Sequence, residues 1–141
     1  MLRCLVVSLS AERRRMIRSA AEVQAWEAIV CRDAGEFRRM AFRRSAPLAI
    51  VDLPAESTAE YWELRQATQS VQQGSARLLF VAGAAAEPGE EIWARSLGAW
   101  TYVNELGSQF GFEFVLGEAR EAIARQATLL APDQERGPTP A

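Results

Sequence analysis

Pro47-Leu-Ala-Ile-Val-Asp-Leu53 is the stretch on which the reading of this chain turns. Pro47 ends the helix-like segment before it, and Leu48 to Asp52 then runs apolar until its last residue. A short continuous apolar run fits a strand buried on both faces, which is the habit of parallel sheets with helices on either side. Asp52 closes that strand. Open α/β sheets bind ligands outside the carboxyl ends of their strands, so an acid there is a candidate site residue.

The same alternation continues outward in both directions. Arg3-Cys-Leu-Val-Val7, Glu27-Ala-Ile-Val-Cys31, Arg77-Leu-Leu-Phe-Val-Ala82 and Trp100-Thr-Tyr-Val103 read as four further strands. Ser10 can cap a helix from Ala11 to about Gln24, with Met16, Ile17, Ala20 and Ala21 inward among several arginines. Asp33 can cap a second helix through about Arg44, burying Phe37, Met40 and Ala41. Ser57 can cap a third, to about Gln73, with Tyr61, Leu64, Thr68 and Val71 at helical spacing. Residues 83–89 read as a flexible loop, Glu90 to Leu97 as a short fourth helix, and Ser108 as the start of a last one reaching about Leu129. Five strands alternating with five helices argue for an α/β fold with helices on both faces of a parallel sheet. The domain is expected over 1–130, with a disordered Pro-rich tail over 131–141.

Composition removes several kinds of chemistry. The 141 residues are 49% hydrophobic, enough for one sizeable core. There is no His, so histidine acid–base catalysis and Ser-His-Asp triads are excluded. All 16 basic residues are Arg, which removes Schiff-base lysines and the lysine of a phosphate loop. Cys4 and Cys31 lie in strand-like runs that could face each other on neighbouring strands; free buried thiols are expected in preference to a disulfide. No clustered ligands suggest a metal, no cofactor motif is present, and no apolar run is long enough to span a membrane. A single Arg followed by a strand does not resemble a signal peptide, so a cytoplasmic protein is expected.

Charge is unevenly spread. Residues 1–50 carry ten Arg against five acids, net +5, and residues 51–130 carry five Arg against eleven acids, net −6. The overall −2 does not suggest nucleic-acid binding. It does suggest a molecule with a basic and an acidic side.

Four segments together resemble the receiver domain of bacterial two-component response regulators. They are Leu5-Val-Val-Ser8-Leu9, Trp26 to Phe37, Pro47 to Leu53, and Ala94-Arg-Ser-Leu-Gly-Ala-Trp-Thr-Tyr-Val103. The resemblance covers about residues 1–128. It implies a flavodoxin-like (βα)5 three-layer sandwich with a parallel five-stranded sheet in the order 2-1-3-4-5. It also places Asp52 at the position of the phosphoacceptor.

The departures from that family concern its chemistry. Receivers hold Mg²⁺ with an acidic pair after the first strand, because a phosphoryl group beside carboxylates needs a cation. Ser8 and Leu9 occupy those positions. The switch hydroxyl after the fourth strand falls on Ala82, and the lysine after the fifth falls on Glu105, which reverses its charge. Leu106 stands where the family has Pro, and Pro54 comes two residues after Asp52 where receivers place Pro four residues after it. Tyr102 aligns with the aromatic switch position.

The resemblance implies contact with a protein partner or a second copy through the fourth helix, fifth strand and last helix. Trp93, Trp100 and Tyr102 are the candidate contacts there. In Phe110-Gly-Phe-Glu-Phe114 the outer two rings share a helix face and Phe112 is offset, so all three cannot be buried together. The expected function is that of a stand-alone, degenerate (pseudo-) receiver: a non-enzymatic interaction module independent of phosphorylation, whose output lies in another polypeptide. Two alternatives remain. One is an atypical phosphorylatable regulator using Asp52. The other is a flavodoxin-like small-ligand binder or enzyme, although no glycine-rich loop follows the first strand.

Overall fold

The computed structural model describes residues 1–135. The elements in chain order are β1 (Leu2–Ser8), α1 (Ala11–Val23), β2 (Trp26–Cys31), α2 (Ala34–Arg43) and β3 (Leu48–Asp52). They continue with α3 (Tyr61–Gln72), β4 (Leu78–Gly83), α4 (Pro88–Ser96), β5 (Thr101–Asn104) and α5 (Gln109–Glu135). All strand pairs are parallel and the order is β2-β1-β3-β4-β5, as the resemblance implies.

The period-two pattern of the central strands divides the core into two layers. Leu5, Val7, Ala49, Val51, Leu79 and Val81 face α2, α3 and α4, where Phe37, Leu64 and Ala94 are buried against them. Cys4, Val6, Leu48, Ile50, Phe80 and Ala82 face α1 and α5, against Ile17, Ala20, Phe112 and Leu116. β3 is buried at all of its positions, which explains why its sequence runs apolar without alternation. Cys4 and Cys31 are free and buried, but they do not face each other. Cys4 pairs with Ala28, and the three-residue offset from Ala28 to Cys31 turns the two thiols to opposite faces of the sheet.

Two caps form as their residues predict. The Ser10 hydroxyl accepts from the Arg13 amide at 3.2 Å and the Asp33 carboxylate from the Glu36 amide at 2.8 Å. Ser57 does not cap α3. The chain turns through Thr58 N–H to Ala55 O and Tyr61 N–H to Thr58 O before the helix begins, and the N-cap position is Glu60. α4 begins earlier than expected, with Pro88 in its first turn, so the loop expected over 83–89 shrinks to residues 84–87. α5 extends to Glu135, so the tail boundary expected at residue 131 falls inside a helix. Residues 136–141 of that tail lie outside the described residues. Among the described residues, no helix is long and apolar enough to cross a membrane.

Candidate functional site

The carboxyl ends of β1, β3 and β4 and the turn after β5 enclose a crevice of about 430 Å³, lined by Ser8, Arg13, Asp52, Pro54, Glu105 and Leu106 among others. Asp52 lies at its floor, only 4% exposed. Register places it between Ser8 of β1 and Ala82 of β4, so the aligned acceptor, acid-pair and switch positions do converge on one site.

Both oxygens of Asp52 are already engaged. Arg13 Nε donates to Oδ2 and Arg13 Nη2 to Oδ1, each at 2.7 Å. The Ser8 hydroxyl donates to Oδ2, also at 2.7 Å. This forked pairing is the geometry in which guanidinium binds carboxylate best. Arg13 is held from two further sides. Nη2 also donates to the Leu106 carbonyl at 3.0 Å, and the guanidinium carbon lies 5.5 Å from the centre of the Phe112 ring. The hydrogen bond to Asp52 raises the Arg13 pKa, against a smaller opposing effect of burial.

Arg13 is therefore the site residue that the sequence did not reveal. It lies in the first turn of α1, where the helix dipole disfavours a cation by about 0.3–1 kcal/mol. The pairing with Asp52 compensates for that position. The one available signal was topological: the first turn of the helix after β1 sits at the carboxyl edge of the sheet, beside the end of β3.

The site does not fit Mg²⁺. A hard divalent ion needs several oxygen ligands free to turn towards it. Here the single acid's oxygens are committed to a guanidinium and a hydroxyl, and Leu9 supplies no ligand. Among the described residues, no three His, Cys, Asp or Glu side chains form a set able to hold a metal ion. Glu105 is exposed at the crevice mouth in a left-handed backbone conformation, φ 54°, and its negative charge stands where a phosphoryl group would need a cation.

A second polar cluster lies behind Ala82. Glu90 of α4 is 4% exposed. It accepts from the Tyr61 hydroxyl at 2.5 Å and from the Tyr102 hydroxyl at 2.6 Å, joining α3, α4 and β5. Tyr102 thus points inward, and burial, then the Glu90 hydrogen bond, raises its pKa. Gly83 makes the cluster possible, because a Cβ there would overlap Glu90 Oε1 and the Tyr102 hydroxyl.

The three candidate contact residues do not share one surface. Trp93 packs on the α2–α3–α4 layer and Trp100 on the α1–α5 layer, on opposite faces of the sheet, while Tyr102 is buried. Trp93 joins Trp62 around Arg65, whose guanidinium carbon lies 4.3 Å and 4.6 Å from the two ring centres. Trp100 borders an open apolar groove of about 640 Å³ with Val103, Leu106, Phe110, Phe114 and Glu118. Phe112 is fully buried, whereas Phe110 and Phe114 are 77% and 65% exposed, the division their helical spacing requires.

A five-stranded parallel sheet in this order, with an acid ending β3, is the CheY-like fold of response-regulator receiver domains. The chain is similar in structure to a receiver domain protein from Clostridium thermocellum, with TM-score 0.72 and 14% identity over 92% of this chain and 99% of that one. It is also similar to the chemotaxis response regulator CheY4 of Vibrio cholerae, with TM-score 0.68 and 16% identity over 84% and 98%. A receiver domain protein from Methanospirillum hungatei gives TM-score 0.65 and 15% identity over 97% and 99%. No family model matches the sequence, and no curated protein is similar to it in sequence.

Proposed function

We propose that this chain is a pseudo-receiver: a non-enzymatic, phosphorylation-independent protein-interaction module of cytoplasmic signalling or regulation. The observation that carries this reading is the occupation of Asp52. A phosphoacceptor needs a carboxylate oxygen free to attack phosphorus and a cation to screen the incoming phosphoryl group. Both oxygens of Asp52 are instead held at 2.7 Å by Arg13 and Ser8, and Glu105 adds negative charge at the mouth. The exposed groove on β5 and α5 supports contact with a protein, since exposed aromatic rings beside an edge strand are costly to leave in water. The test is incubation with acetyl phosphate and Mg²⁺ followed by intact-mass measurement. No adduct is expected. A stable adduct that disappears in Asp52→Asn would establish the phosphorylatable alternative instead.

A further inference from the structure

We infer that an arginine-lined groove at the β2 edge receives the Phe110–Phe114–Glu118 face of a second copy, so that copies associate head to tail. This rests on the reading of β5 and α5 as a contact surface, and it names the partner. The groove, of about 370 Å³, is lined by Arg14, Arg15, Arg18 and Arg32 together with Val30, and by Glu36 as its one acid. Arg14 is tied to the Ser8 carbonyl at 2.8 Å, and Arg32 pairs loosely with Glu36 at 3.9 Å. Arg15 and Arg18 are exposed, and neither has a carboxylate within ion-pair distance among the described residues. Local acids therefore leave most of the charge in this groove uncompensated.

The complementary surface is on the same molecule, at the opposite edge. β2 and β5 are the two edge strands of the sheet. α1 and α5 pack side by side on one of its faces. On α5, Phe110, Phe114, Glu118 and Glu121 fall on one helical stripe, and all four are exposed. On α1, Arg14, Arg15 and Arg18 fall on one flank. Guanidinium planes stack on aromatic faces and pair with carboxylates, and arginine stems cover apolar surface. A groove of arginines thus suits a stripe of two Phe followed by two Glu. Because the two patches occupy opposite edges, one molecule can use both at once. Such a heterologous contact extends into a chain of copies unless its rotation closes a ring.

Sedimentation of the full chain tests this. Association is expected to rise with concentration beyond a dimer, and to weaken sharply between about 0.1 M and 1 M salt as the screening length falls from about 10 Å to about 3 Å. Arg15→Glu with Arg18→Glu, and separately Glu118→Arg with Glu121→Arg, should each weaken association at least about tenfold. Mixing the two variants should restore it, because each altered patch then meets its new complement. Circular dichroism verifies the fold of each variant. Three results overturn the inference. One is a monomer at all concentrations. Another is a dimer sensitive to Phe114→Ala but indifferent to the arginine changes, which would keep the β5–α5 face and make the contact symmetric. The third is a mixture that fails to recover. None of these outcomes bears on phosphorylation of Asp52, so failure here and failure of the pseudo-receiver reading are separable.

Discussion

The hydroxyl of Tyr102 on β5 donates a 2.6 Å hydrogen bond to the buried carboxylate of Glu90 on α4, and Gly83 leaves the space in which they meet. A receiver has a hydroxyl-bearing switch residue and a mobile aromatic at these positions. Here Ala82 provides no hydroxyl, and a carboxylate from the next helix holds the ring. Tyr61 donates to the same carboxylate, so α3, α4 and β5 are joined through one residue. Three elements are thus tied together beside an Asp52 whose two oxygens are already engaged.

Gly83→Ala tests that space. The new methyl would overlap both Glu90 and Tyr102, and the neighbouring groups are buried on all sides. A loss of about 1–3 kcal/mol is expected from overpacking, read from the midpoint of urea unfolding. Tyr102→Phe, which removes one hydrogen bond and leaves the ring, should cost about 1–2 kcal/mol. A fully stable Gly83→Ala protein would mean that Glu90 can swing away and that the cluster is not a fixed joint.

The Arg13–Asp52 pair should respond asymmetrically to truncation. Arg13→Ala strands a carboxylate that is 4% exposed, and unpaired buried charges are expensive. About 2–4 kcal/mol is expected, discounted from a fully buried pair because the arginine itself is 31% exposed. Asp52→Ala should cost less, because Arg13 can turn towards solvent. Equal losses in parallel urea titrations would show that the guanidinium is as trapped as the acid.

Alkali should unfold the protein early. Burial pushes the Tyr61 pKa from 10.0 up to about 12, and the Cys4 and Cys31 pKa values from 9.0 up to about 12; Tyr102 is raised as well. Each raised value means that the folded state holds its proton more tightly than the unfolded chain. As pH rises the unfolded chain therefore binds fewer protons, and stability falls. It should be intact below about pH 9 and decline progressively towards about pH 12. Tyrosinate absorbance should grow together with loss of helix, and Tyr102→Phe should flatten the decline. Tyrosinate forming at its ordinary pH in a folded protein would contradict the burial of the cluster.

What was legible in the sequence was what depends on near neighbours and on period. The Ser10 and Asp33 caps act over three residues, so their residues alone predict them. β3 announces itself because burial on both faces removes alternation. Ser57 has the same chemistry as Ser10 but misleads, because turns intervene before Tyr61. Of the site, the sequence shows Asp52 at the end of β3 and the departures from the receiver pattern at Ser8, Leu9, Ala82 and Glu105. The groups that hold Asp52 and Tyr61 come from far along the chain: Arg13 is 39 residues from Asp52, and Glu90 is 29 from Tyr61. On a helical wheel Arg13 is one arginine among several, and Glu90 is an ordinary first-turn acid. Only register and topology bring them to their partners, and the same register sets Cys4 and Cys31 on opposite faces.

The pairing of Arg13 with Asp52 leads to a prediction about freeing the carboxylate. Ser8→Asp with Leu9→Asp restores the acidic pair in name. Yet Arg13 would remain within the cluster, and a fixed guanidinium competes with a divalent cation for the same oxygens. Ser8 is fully buried, so the new acid beside Asp52 also adds repulsion that Arg13 is well placed to relieve. The double variant should bind Mg²⁺ weakly. Adding Arg13→Ala removes the competing cation and leaves three carboxylates needing another, and affinity should rise at least about tenfold, close to 1.4 kcal/mol. Isothermal titration with Mg²⁺, with circular dichroism to confirm folding, gives both values. Equal affinity in the double and triple variants would mean that the arginine yields freely to a metal, and that the missing acids alone keep the site closed. Neither variant should show phosphorylation-dependent switching, since Ala82 still offers no hydroxyl and Tyr102 remains held by Glu90.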